Sequence, residues 1–153
     1  EKDIFQFTKG TPIPYRPRVR AEKRHQRSQK LEADKLANIV AQAALDKKGQ
    51  DVLVLDVRGL SSYADFLVLA SGTSDRHVEA IAQGAIAELK SNHGMLNKSA
   101  EGLRSGQWAL VDFGDVIFHV FHQFTRDVYA LEDLWDEAPR EVISEEERSH
   151  QTA

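Results

Sequence analysis

The chain has no cysteine. Disulfides, thiolate-held metals and cysteine nucleophiles are excluded together. Proline is scarce: Pro12, Pro14, Pro17 and Pro139 are the only four, and residues 18–138 contain none. A proline-free centre between proline-marked ends reads as one compact domain with tails. No apolar run approaches the ~18 residues of a membrane-spanning helix, so no such span is expected. No internal repeat is present, and no D-x-D carboxylate pair occurs.

What remains is an ordinary globular balance, 41% apolar and 29% charged over 153 residues. The net charge of −4 conceals three unlike regions. Residues 9–30 carry eight basic residues against Glu22 alone, a net +7. Residues 31–131 are mildly acidic at −4, and residues 132–148 carry −6. The arm at 1–27 lacks an apolar period and is expected to be a disordered leader. Cations on a flexible chain release counterions when they meet RNA phosphates. Arg16, Arg18, Arg20, Lys23, Arg24 and Arg27 are the candidate contacts. The domain is placed at 28–138, and residues 139–153 are expected to form an acidic, disordered tail.

Apolar periodicity orders the centre. Leu36, Ile39, Val40, Ala43 and Ala44 mark a helix over about 30–47, with Gly49 as its expected left-handed cap. Residues 52–57 and 65–70 are continuous apolar runs, which suit strands covered on both faces. Thr73 or Ser74 caps a second helix, whose stripe is Val78, Ile81, Ala82, Ala85, Ile86 and Leu89. Gly94 ends it. Residues 95–106 read as irregular, with a short strand near 95–97. Residues 108–113 and 116–121 form an antiparallel hairpin about Gly114-Asp115. A last helix is expected over 125–135. The fold class is α/β (α+β): a single mixed β-sheet with flanking helices.

Several chemical signals carry little. Asp112-Phe113-Gly114 spells a kinase metal triplet, but the other kinase motifs are absent. His119 and His122 lie three apart on a strand and point to opposite faces, so they do not chelate one metal. In the hairpin register Asp112 pairs with Ile117 and Leu110 with His119. Asp112 and His119 are then diagonal neighbours within reach of an ion pair. The Ser71–Asp75 turn is like the glycine-serine turn of nucleotidyltransferases. Those enzymes also need a carboxylate pair for magnesium, which this chain lacks. Trp108 and Trp135 read as core residues, with Trp108 an interface anchor if exposed.

Two long motifs resemble the ribosomal silencing factor family, also called Iojap-like. One runs from Gly59 through Tyr63, Asp65 and Ser71-Gly72-Thr73-Ser74 to Val78. The other joins Glu101-Gly102, residues 108–121, Arg126, Tyr129, Leu131-Glu132 and Leu134-Trp135. The resemblance spans about 33–138. It implies a nucleotidyltransferase-like fold without catalytic carboxylates, no enzyme activity and no cofactor or metal. It implies binding to protein fourteen of the large ribosomal subunit, steric blocking of subunit joining and repression of translation. Large-subunit assembly through the same surface is the alternative, and a nucleotidyltransferase-like enzyme a remote one. Tyr63, Asp65, Trp108, Asp112, Asp115 and His119 are the expected partner-binding residues; the arm lies outside the resemblance, and its contact with ribosomal RNA is expected from its charge alone. A bacterial cytoplasmic location is expected, with an organellar one as the alternative, and homodimerisation of the free factor is left open.

Overall fold

The structure, a computed structural model, describes residues 31–145. The basic arm and its six candidate RNA-contacting residues lie outside that range. The order is α1 (Ala33–Asp46), β1 (Gln50–Asp56), β2 (Phe66–Gly72), α2 (Asp75–His93), β3 (Ser99–Glu101), β4 (Trp108–Asp112), β5 (Val116–His122), α3 (Gln123–Tyr129), α4 (Leu131–Leu134) and β6 (Arg140–Ile143). The strands form one six-stranded sheet in the order β3-β4-β5-β2-β1-β6. The central β2–β5 pair is parallel and every other pair antiparallel. The single mixed sheet with helices is the expected class.

The two faces of the sheet are dressed differently. Helices α1 and α2 pack on one face, against Val52, Val68, Ala70, Val111, Phe118 and Val120. The other face presents Leu53, Leu55, Leu67, Leu69, Leu110, Ile117 and Phe121. Among the described residues it is covered by the segment holding Leu131, Trp135 and Ala138 and by Val57, Leu60 and Ala64 of the connection between β1 and β2. Each buried Leu, Ile or Phe contributes about 1.5–3 kcal/mol, so both layers hold the sheet. β2 lies at the middle of both cores and is buried along its whole length. Its unbroken apolar run follows from that position.

Several local expectations hold. Ser74 caps α2, its hydroxyl accepting from the His77 N–H at 3.0 Å. Gly94 ends that helix in the left-handed region. The hairpin register is as read, Asp112 opposite Ile117 and Leu110 opposite His119.

Four details differ. After α1 the left-handed residue is Lys48, not Gly49. Gly49 is needed for room instead, because a Cβ there would lie 2.9 Å from the Ala44 carbonyl oxygen. The short strand after α2 is at Ser99–Glu101, paired with β4, rather than at 95–97. The last helix is broken at Ala130 (φ 45°) into α3 and α4. The break turns α4 so that Leu131 and Trp135 reach the core over β1 and β2. Finally, part of the segment read as an acidic tail is strand β6, paired with β1. Ile143 is buried under α1, and Arg140 donates to the carbonyls of Glu132 and Trp135. The density of glutamates hid this short strand from a reading by charge.

Candidate partner-binding site

The expected contact residues divide between two places. β1 and β4 end, and β2 and β5 begin, at one end of the sheet. Asp56, Asp65, Asp112 and Asp115 gather there, with Tyr63 in the loop leading to Asp65. The N–H groups of Asp65 and Phe66 donate to the Asp115 carbonyl at 2.7 and 3.1 Å, which locks the turn to β2. Arg58 pairs with Asp56 at 2.6 Å and holds its carboxyl below the usual carboxylate range. Trp108 lies at the far end of β4. Four residues of strand put it about 13 Å from Asp112.

Asp112 has a structural role. It is buried, and its Oδ1 accepts from the Gly114 N–H at 2.7 Å. That bond shapes the tight turn, where Gly114 adopts φ 100°. His119 does not form the ion pair with Asp112 that the register placed within reach. His119 Nδ1 instead accepts from the Trp108 indole N–H at 3.0 Å. An indole only donates, so the imidazole proton sits on Nε2. Nε2 is buried and has no hydrogen-bond partner. Full burial pushes His119 down to about 3, so the ring is neutral at physiological pH. His119 therefore belongs to the core and is not a contact residue.

Around Trp108 an aromatic patch rises to the surface. Its ring lies 4.9 Å from Phe121 and 4.4 Å from Tyr129, centroid to centroid. Tyr129 is 41% exposed, and on the same short helix Phe124 and Val128 are 72% and 79% exposed. Residues four apart share a helix face, so α3 presents Phe124 and Val128 together. Gly102 lets the backbone pass close beneath Trp108. It holds φ +75°, and a Cβ would fall 2.1 Å from the Trp108 carbonyl oxygen.

Reasoning from sequence missed the residue that fixes α3. Arg126 is buried, and its guanidinium donates to the Asp51 carbonyl at 2.6 Å and to Ser71 Oγ at 2.9 Å. It also pairs with Glu132 at 3.2 Å. Asp51 sits in the left-handed region at a bulge in β1, which leaves its carbonyl available to the guanidinium. One side chain thus ties α3 and α4 to β1 and β2. The available signal was a lone cation in an apolar helical stretch, followed by Glu132. Among the described residues, no group of three or more histidines and carboxylates is placed to hold a metal.

The sequence profile described as ribosomal silencing factor during starvation matches residues 30–153. The chain belongs to the ribosomal silencing factor family. A Bacillus subtilis ribosomal silencing factor, RsfS, is 42% identical over 104 residues, covering 68% of this chain and 87% of that protein. A crystal structure of a Chromobacterium violaceum protein superposes with a TM-score of 0.67 at 37% identity, covering 69% of this chain and 88% of that one. A mouse protein named for mitochondrial assembly of the ribosomal large subunit is 32% identical over 109 residues, 46% of its own length. Ribosome silencing and large-subunit assembly are thus both represented among the relatives of this ribosomal silencing factor chain.

Proposed function

We propose that this chain binds the large ribosomal subunit through its protein fourteen, covers the surface used to join the small subunit, and so represses translation. Family membership across the whole described domain carries the reading. The geometry supports a steric mechanism. The acidic sheet end suits a basic ribosomal protein, and the Trp108–Tyr129 patch offers large aromatic anchors of the kind that dominate interfaces. The basic residues from Arg16 to Arg27 add contacts to ribosomal RNA. The proposed setting is the bacterial cytoplasm. A second reading, assembly of the large subunit through the same surface, is favoured by the name of the mouse relative.

The test is co-sedimentation with separated subunits. The protein should pellet with large subunits alone and prevent their joining to small ones. Equal binding to both, or undiminished joining at saturation, would sink the proposal. Immature large subunits in a deletion strain, with joining unaffected, would favour assembly.

The two hairpin aspartates behave differently. Asp115→Lys, at the turn, should weaken large-subunit binding by about tenfold or more with little change in melting. Asp112→Lys should lower melting first, because it places an ammonium where a buried carboxylate accepts the Gly114 N–H. Normal binding by Asp115→Lys would remove the turn from the contact surface.

A further inference from the structure

We propose that the groove between α3 and the start of β1 is a small-molecule site that takes a zwitterion, a free α-amino acid with an apolar side chain. The groove lies at the end of the sheet where β1 begins and β2 ends, opposite the end that carries Asp65 and Asp115.

Three observations define the ligand. The first is a guanidinium with donors to spare. Arg126 is 6% exposed. Its Nη1 donates to the Asp51 carbonyl and to Ser71 Oγ, and its Nε donates to Glu132. The remaining N–H groups are the pair on Nη2. Among the described residues Nη2 takes part in no hydrogen bond. It is not sealed in either, because the buried polar atoms without a partner are His119 Nε2, Glu132 Oε1 and Trp135 Nε1. Nη2 therefore meets open space, and Arg126 lines a cavity of about 480 Å³. A charged donor held in place by its other bonds is a seat for a carboxylate.

The second is the balance of charge. Asp51 and Asp127 also line the cavity and form no ion pair among the described residues. Glu132 is already matched to Arg126, so the two aspartates leave the rim negative. That rim repels a ligand that is only an anion, a phosphate ester included. The guanidinium repels one that is only a cation. A molecule with both charges satisfies both, its carboxylate on Nη2 and its ammonium toward the aspartates.

The third is the wall. Leu53, Val142 and Phe124 supply the apolar part of the lining. Phe124 and Asp127 are three apart on α3 and share a face, so an apolar contact and a carboxylate stand side by side. The volume lies within the usual range of small-molecule sites, about 300–1,000 Å³. It has room for an amino acid and ordered water.

The test titrates the full chain with L-leucine and follows amide NMR shifts and thermal melting. Saturable shifts should cluster at residues 50–53, Ser71 and 123–127, half-complete at about 1 mM or below. Melting should rise with leucine concentration. Leucinamide lacks the carboxylate charge and N-acetyl-leucine lacks the ammonium, and each should bind at least about tenfold more weakly. Asp51→Asn combined with Asp127→Asn removes the rim charge and suits the backbone, because asparagine tolerates the left-handed conformation of Asp51. This double variant should melt like the parent, bind leucine about tenfold more weakly and no longer prefer it to N-acetyl-leucine. The proposal is overturned by no saturable shift at about 10 mM leucine, by shifts centred outside the groove, or by unchanged leucine binding in the double variant. Leucinamide binding as well as leucine would make the groove a cation site, and N-acetyl-leucine binding as well would make it a seat for a peptide carboxyl end. Either result, measured on the parent chain and so independent of how the variant folds, also overturns it.

Discussion

Arg126→Met should lower the melting temperature by about 10–20 °C, from a loss of about 3–5 kcal/mol. Methionine keeps the length and apolar stem of arginine but removes every donor. The Asp51 carbonyl and the Ser71 hydroxyl lose their partner, and Glu132 keeps a carboxylate with one oxygen already buried and unpaired. Breaking one side of such a pair costs more than removing both. Adding Glu132→Gln should therefore recover part of the loss. Thermal melting of the single and double variants checks this. Equal melting of Arg126→Met and the parent would show that α3 is held by its apolar contacts alone. Because α3 carries Tyr129 and the exposed Phe124 and Val128, the single variant should also bind large subunits less well at temperatures where it remains folded.

The second large effect follows pH. His119 stays neutral in the folded chain down to about pH 3, whereas an unfolded histidine takes up a proton near pH 6.5. Above about pH 6.5 both states are neutral and the group adds no pH dependence. Below it the unfolded state binds the extra proton, so stability falls as pH falls towards the folded value. The slope approaches about 1.4 kcal/mol per unit, or about 2–3 kcal/mol between pH 6.5 and pH 4.5. His119→Leu has no proton to gain. Urea unfolding at a series of pH values should show the parent losing stability across this window more steeply than the variant. Parallel curves would mean that the imidazole reaches water or gains a partner when protonated.

Much of the architecture was legible in the sequence, and the exceptions share a cause. α1, α2 and the central strands declare themselves because their apolar periods run long and their ends carry Ser74 and Gly94. The hairpin was readable because two apolar runs flank Gly114-Asp115. β6 was not, because four residues beside many glutamates carry too short a pattern. The break at Ala130 is set by where Leu131 and Trp135 must be buried, a tertiary demand invisible in local spacing. At the candidate site, counting along strands identified the neighbours of His119 but not the one it would choose. Asp112 was taken by the Gly114 backbone, and Trp108 supplied the donor. Arg126 stood in plain view, but its value lies in a carbonyl exposed by a bulge 75 residues earlier, and no local pattern announces that.

The late strand also determines where the domain can safely be cut. β1 is shielded on one side by β2 and on the other only by β6. A chain ended after Ala138, where Pro139 and the charges suggested a boundary, would keep all four helices and five strands. It would also bare the edge of Val52, Leu53, Val54 and Leu55, an apolar run with no lysine or proline to discourage another copy from pairing with it. The few residues after Pro139 thus act as a sleeve over the stickiest margin of the protein. Solubility, more than affinity or activity, is what a shortened version would forfeit first.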